Sequence, residues 1–369
     1  MRVVLTVPSL APEFGGPAIK VRQLADSLRF LGQDVRIVGT GRASDDAMGA
    51  PVWFRYHGTP VPADPRPIAR AVRDADVVHV MGYRDPIGTM AAVAASRRRV
   101  PYVLEPVGMH RRRLRSERLK WLFDWTAGKR LIGDAARVIA TSMVERDELL
   151  ADGLGPRRIV VRANGIDVAD MLPLPPRGTF RARHAIPAGA SLVACIGRIA
   201  SKKGLTDLVS AIAPLPSVWL AVAGPDDADG TVRALEALAR ASGTSDRVVI
   251  QPSGVWGQEK ARLLADANVF ALPSATENFG NAAAEAAAVG VPVLVSADCG
   301  VKEWLSEDAA RVVRYGDVVG IRDGLAELLE NGATEAARAD AERVRAELSW
   351  GSLALFQADL YRQVIEEAE

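Results

Sequence analysis

Four charged side chains in two short stretches have the types and spacing to hold a phosphorylated ligand. Ile196–Gly204 reads IGRIASKKG and carries Arg198 and Lys203 five residues apart, directly after an apolar run. Two cations converging behind a strand suit a pyrophosphate. They neutralise its resting charge and also the charge that grows on a departing phosphate. Surface salt bridging is the competing reading, and it is the better one for Lys202. Thr276–Glu285 reads TENFGNAAAE, with Glu277 among polar turn formers and Glu285 alone in a run of alanines. Near the start, SLAPEFGGPAIK sets Gly15 and Gly16 before a helix that begins near Pro17. Glycine lets backbone approach a ligand there, and a helix N-terminus offers unpaired N–H groups. A double glycine before a proline is also a common structural turn.

The elements around TENFGNAAAE decide what its two acids can reach. A strand ends at Pro273, Asn281 reads as the helix N-cap, the alanines favour helix, and Gly290 stops it. VPVLV is then the next buried strand. Glu277 is thus in the loop before the helix, and Glu285 lies about one turn inside it. An anion on the amides near Phe279, Gly280 and Asn281 would be stabilised by the helix dipole, leaving a carboxylate on either side to bond hydroxyls. A molecule made of a sugar, a diphosphate and a ribose presents that pattern. The competing reading of Glu285 is a solvated acid on an alanine helix.

The rest of the chain supplies a scaffold of one kind, twice. With 369 residues, two domains are expected. The residues are 49% hydrophobic and 25% charged, an ordinary globular composition. No apolar run is long enough for a membrane span, and MRVVLTVPSL reads as a first strand, not a signal peptide. Cys195 and Cys299 lie in apolar stretches; they signal neither a disulfide framework nor a zinc site and fit a reducing cytoplasm. VVLTV, DVRIVG, DVVHVM, PYVLEPV, RVIATS and RIVVRANG read as buried strands of the first half. SLVACIGRI, VWLAVAG, DRVVIQP, NVFALPS and VPVLVS repeat the scheme in the second. Amphipathic segments such as AIKVRQLADSLRFLG separate them, which means parallel sheets covered on both faces. Proline and glycine concentrate at 172–190, so the domains are expected to be 1–171 and 172–349. An amphipathic helix at 350–369 either caps its own domain or crosses back to the first. Ligands of such folds bind at the carboxyl ends of the strands, and the charged motifs follow strands.

The net charge of +1 conceals an asymmetry, since residues 1–170 sum to +8 and the remainder to −7. The first half therefore suits an anionic partner. Its densest block is HRRRLRSERLKWLFDW at 110–125. His110, Arg111, Arg112, Arg113, Arg115 and Trp121 there mark an acceptor groove or a helix resting on an anionic membrane. Nucleic acid is not expected, because no recognition motif accompanies the basic residues.

GGP near the start, NGID at 164–167, GR-I-x3-KG at 197–204 and E-x7-E with FG resemble, in this order, a retaining glycosyltransferase of family four. The resemblance spans nearly the whole chain, including the Trp350 segment. It implies the GT-B fold: two Rossmann-like domains with parallel sheets facing across a deep cleft, and a terminal helix crossing back. Arg198 and Lys203 would then hold the donor diphosphate and assist its departure, and Glu285 would take the ribose hydroxyls. Glu277 would contact the transferred sugar beside the amides of Phe279, Gly280 and Asn281. Gly15 and Gly16 would close the phosphate side, with the nucleobase near Gly254 and Val255. The same resemblance implies retention by a front-face path in which the leaving phosphate takes the acceptor proton. No metal is expected, and GPDDADG at 224–230 should be a surface turn. One departure is Val107, where many members carry histidine or arginine; His79 reads as structural. The expected function is transfer of a hexose from a UDP- or GDP-linked donor to a hydroxyl of a glycan or lipid-linked acceptor. The protein would be a cytoplasmic monomer or homodimer, peripheral on the inner membrane face if residues 110–125 meet lipid. The alternatives are a nucleotide-sugar epimerase on the same fold and a catalytically silent sugar-nucleotide binder.

Overall fold

The computed structural model describes residues 1–11, 16–41, 47–50, 52–56, 59–108, 128–332 and 335–369. Its contacts divide the chain into two compact units. The first comprises Met1–Gly165 with Trp350–Glu369, and the second is Ile166–Ser349. The terminal helix Trp350–Glu366 therefore belongs to the first unit.

In the first unit β1 (Arg2–Ser9), β2 (Asp34–Thr40) and β3 (Ala47–Ala50) precede a short antiparallel pair, β4 (Val52–Tyr56) and β5 (Thr59–Pro62). β6 (Val77–Met81), β7 (Tyr102–Glu105), β8 (Arg137–Ala140) and β9 (Ile159–Val161) follow. Seven of these strands form one parallel sheet in the order β3-β2-β1-β6-β7-β8-β9. The β-branched runs end up buried on both sides because helices cover both faces. Helices Arg66–Arg73 and Pro86–Arg98 share one core with Val78, Val80 and Leu104. Helices Gly16–Phe30 and Trp350–Glu366 share the other with Leu5, Ile37 and Val103. The terminal helix buries Trp350, Leu353, Ala354, Gln357, Ala358, Tyr361 and Val364, a stripe at three- and four-residue spacing.

The second unit repeats the plan with β10 (Ser191–Ile196), β11 (Val218–Ala223), β12 (Val248–Gln251), β13 (Val269–Leu272), β14 (Val293–Ser296) and β15 (Ala310–Val313). All pairings are parallel, in the order β12-β11-β10-β13-β14-β15. Both sheets are thus doubly wound, and strand order reverses at β1/β6 and at β10/β13. Beyond the carboxyl ends of those strands a ligand finds a crevice. The eleven apolar runs named above all fall on strands. β3, the β4–β5 pair and β15 were not foreseen; each is short, and all lie at sheet edges or outside the large sheets.

Candidate active site

The reversal point of the second sheet brings the two charged motifs together. After β10 the chain makes a single 3₁₀ turn, Ser201–Lys203, and reaches Gly204 at φ 66°. A Cβ at Gly204 would stand 2.4 Å from the carbonyl oxygen of Pro273. Only glycine both adopts that left-handed conformation cheaply and lets this loop lie against the end of β13. The approach is fixed by a hydrogen bond from the Ala275 amide to the Lys202 carbonyl, 2.8 Å. It sets Lys203 Nζ in direct contact with Glu277 Oε2. Glu277 is itself anchored through its backbone, which donates to Asp298 O at 3.2 Å and accepts from Gly300 N at 3.3 Å. Both side chains stay partly open to solvent, 13% for Lys203 and 22% for Glu277.

Arg198 stands on the same edge, largely exposed, with Nη1 3.2 Å from Asp227 Oδ1. Asp227 lies in the 224–230 turn, which is a surface turn tied to the loop after β10. Asp227 N donates to Ile199 O at 3.1 Å, and Asp229 Oδ2 accepts from Ser201 N at 3.0 Å. Lys202 departs from its assignment to the surface. It is half-buried, and burial followed by the charges of Lys203 and Arg198 pushes its pKa down. Three cations therefore crowd one strand end. The two cysteines line the apolar side of this cluster. Burial pushes the thiols of Cys195 and Cys299 up to about 12, so they add no charge.

The helix after Glu277 runs Asn281–Ala288 and is capped by Gly280 at φ 100°, not by Asn281, which is the first helical residue. The reason is steric: a Cβ at position 280 would meet Cys299 Sγ at 2.6 Å, so the chain turns on the glycine. Gly280 O then accepts from Ala283 N and Ala284 N. The Phe279 side chain is core, edge-on to Trp304, and its carbonyl accepts from Val301 N at 2.7 Å. Helix termination at Gly290, φ 84°, is as expected. Glu285 is not a solvated acid: Oε2 lies 2.8 Å from Lys260 Nζ, and both side chains are more than four-fifths buried. Lys260 comes from the helix Gly257–Asp266 and escaped the sequence reading, since nothing in GQEKARLLAD distinguishes it from a solvated lysine. Gly254 and Val255 lie just beyond the carboxyl end of β12. Val255 is buried, and Gly254 carries the Trp256 indole against its Cα.

In the first unit Gly16 opens the helix Gly16–Phe30, while Gly15 lies outside the described residues. His110, Arg111, Arg112, Arg113, Arg115 and Trp121 also lie outside them. Behind Gly16 sits a buried charged cluster. Glu105 at the end of β7 accepts from Lys20 Nζ at 2.5 Å and from Arg162 Nη2 at 2.7 Å to each oxygen. Lys20 also donates to Asn164 Oδ1. Burial alone would push the Glu105 carboxyl up, but Arg162 and Lys20 hold it well below the usual range. His79 stands with Nε2 3.2 Å from Glu105 Oε2 and Nδ1 2.6 Å from the Tyr361 hydroxyl. It is structural, and burial lowers its pKa. Val107 adopts φ 54°, an outlier for a β-branched residue, and the next amide, Gly108 N, donates to Glu145 Oε1 at 2.7 Å.

Residues 176–345 match the family described as glycosyl transferases group 1, and residues 15–165 match the glycosyl transferase 4-like domain. The chain belongs to the group 1 glycosyltransferases. Among curated relatives of this family member is the D-inositol 3-phosphate glycosyltransferase of Xylanimonas cellulosilytica. The two are 32% identical over 249 residues, 64% of this chain and 58% of that one. The enzyme of the same name from Mycolicibacterium smegmatis is 30% identical over 226 residues, 60% of this chain and 51% of that one. The family member thus spans little more than half the length of the curated relatives it matches. Its fold is that of known GT-B glycosyltransferase structures. Sucrose-phosphate synthase from Thermosynechococcus elongatus superposes with a TM-score of 0.76 over 99% of both chains at 22% identity. Anabaena HepE in complex with UDP gives 0.80 over 98% of this chain and 100% of that one at 17% identity. Among the described residues no helix is long and apolar enough to cross a membrane.

Proposed function

We propose that this chain transfers a hexose from a nucleotide diphosphate sugar to a hydroxyl of a glycan or glycolipid precursor, with retention. The observation that carries the reading is the Lys203–Glu277 contact at the strand-order reversal of the second sheet, with Arg198 and Lys202 on the same edge. Cations there compensate the diphosphate as the bond from sugar C1 to the β-phosphate oxygen breaks. A new bond forms between C1 and the acceptor oxygen, and the acceptor proton passes to the leaving phosphate. Glu277 is read as the partner of the sugar hydroxyls and Glu285, backed by Lys260, as the partner of the ribose. Gly15, Gly16, Gly254, Val255, Phe279, Gly280 and Asn281 would complete the donor site. Residues 172–349 would serve the donor, and residues 1–171 with 350–369 the acceptor. Support comes from relatives named as glycosyltransferases and from the UDP and UDP-glucose complexes of HepE.

The test is a thermal-shift series with UDP, GDP, ADP and their glucose conjugates, followed by product analysis. A bound donor raises the melting temperature by mass action. One nucleoside diphosphate should stabilise the protein, and Lys203→Ala should abolish the shift. No shift with any of them, or conversion of a donor into an isomeric sugar nucleotide, would overturn the proposal.

A further inference from the structure

Trp256 is a large apolar side chain that no structural requirement explains. Its neighbour Val255 is 6% exposed and packs inward, whereas Trp256 is 64% exposed. It occupies the N-cap of the helix Gly257–Asp266 yet makes no side-chain capping bond, a position where serine, threonine, aspartate and asparagine are favoured. The indole is nonetheless seated. The three atoms at the outer edge of its six-membered ring lie 1.5 to 2.2 Å from the point a Cβ of residue 254 would occupy. Any side chain at position 254 would therefore displace the ring. The chain thus keeps a glycine at 254 and an indole on it, just past the carboxyl end of β12.

The same helix carries Lys260, whose Nζ is 2.8 Å from Glu285 Oε2. Trp256 and Lys260 are four positions apart, about 6 Å along a helix axis. That span is comparable with the reach of a nucleoside from its ribose hydroxyls to its base. We infer that Trp256 is the stacking platform of the donor's nucleobase, with the Lys260–Glu285 pair at the ribose. The inference rests on the proposed donor site and adds a side-chain contact to the base, made by a residue that neither strand nor cap demands. Base–aromatic stacking tolerates any base because each has a π-face. An indole here therefore supplies affinity for the base without fixing its identity.

The experiment measures binding of UDP, GDP, ADP and inorganic pyrophosphate to the full chain and to Trp256→Ala, Trp256→Phe and Lys203→Ala. Trp256→Ala should weaken the favoured nucleoside diphosphate about 5- to 150-fold, the range expected for one base–aromatic stack. It should leave pyrophosphate unchanged, because pyrophosphate has no base. Trp256→Phe should keep most of the affinity but lose the quench of tryptophan emission that the nucleotide causes in the unmodified chain. That second variant keeps the test decisive if Trp256→Ala fails to fold. Lys203→Ala should weaken nucleotide and pyrophosphate alike. Equal nucleotide affinity in the unmodified chain and folded Trp256→Ala, or an unchanged quench in Trp256→Phe, would overturn the stacking role and leave the donor site standing. Absence of binding by all three nucleotides to the unmodified chain would overturn the donor site itself.

Discussion

Lys20 with Glu105 and Lys203 with Glu277 are the same two side-chain types in the two units, placed at different depths. The first pair has side chains 6% and 0% exposed; the second has 13% and 22%. Around Glu105 the protein supplies Lys20, a forked contact from Arg162 and the nearby His79, and Asn164 completes Lys20. Such a cluster offsets the cost of burying charge by pairing Glu105 with Lys20 and Arg162. It fastens β7, the helix Gly16–Phe30 and the Arg162–Asn164 segment together. At Glu277 the only ion pair is the one with Lys203, among the described residues, and the cations around it outnumber the acids in contact. An excess of positive charge with an open side is what an incoming diphosphate would complete. Depth, not residue type, separates the lock from the site.

The sharpest way to break that comparison is to remove charged partners from each pair. Glu277→Ala and Lys203→Ala should each lower turnover by at least about 10²–10³, the range seen when one preorganised electrostatic contact to a transition state is lost. Melting should fall less than on loss of the fully buried pair, because both side chains keep some exposure to solvent. Near-native turnover in both variants would sink the site assignment. Glu105→Ala should do the converse. Stranding Lys20 and Arg162 in the interior should cost about 3–5 kcal/mol. For a unit of this size that lowers the melting temperature by roughly 10 °C. A Glu105→Ala protein that melts like the parent would show that the cluster is not a lock.

Much of this contrast could be read in advance from one unit and little from the other. The large parallel sheets follow from β-branched runs at regular spacing, and Arg198, Lys203, Glu277 and Glu285 stand out because each follows a strand or sits in an alanine helix. The Gly280 cap was misplaced onto Asn281, since residue preference favours asparagine there and the Cys299 sulfur that crowds position 280 comes from nineteen residues away. The same distance problem hid Lys260, which is informative only once Glu285 is seen beside it. Lys202 reads as one more surface lysine until the fold half-buries it next to Lys203. In the first unit Lys20, Glu105 and Arg162 are isolated charges in apolar stretches, and nothing local says that they converge.

A pH profile separates the lock from a second buried acid in the same unit. Burial pushes the Asp85 carboxyl up to about 6 from 3.8, against the pull of backbone bonds from Gly88 and Ile87. Between those values the folded chain keeps a proton that the unfolded chain has released. Stability should therefore fall as pH rises from about 4 to about 6, by roughly 2–3 kcal/mol, and level off above. Asp85→Asn should flatten that limb, as read by chemical denaturation at each pH. The Glu105 carboxyl is shifted the opposite way, so its contribution is present above the usual carboxylate range and is lost as pH falls through its depressed value. If Asp85→Asn left the slope between pH 4 and 6 unchanged, the Asp85 carboxylate would not be the group responsible.

The smallest expected effect concerns how the terminal helix joins the lock. Tyr361 is fully buried, and its hydroxyl meets His79 Nδ1 at 2.6 Å while His79 Nε2 faces Glu105. Burial pushes the tyrosine well above its ordinary range and the histidine below its own, so the contact joins two neutral groups. Tyr361→Phe retains the ring in the core it shares with Leu24 and Leu28 and removes one neutral hydrogen bond. The cost should be about 1 kcal/mol, with one imidazole nitrogen left unpaired. A loss of several kcal/mol would mean that the hydroxyl does more than close the network, and that the terminal helix is part of the lock. Turnover at saturating donor should be unchanged, because the hydroxyl lies in the buried cluster of the first unit and Lys203–Glu277 is in the other unit.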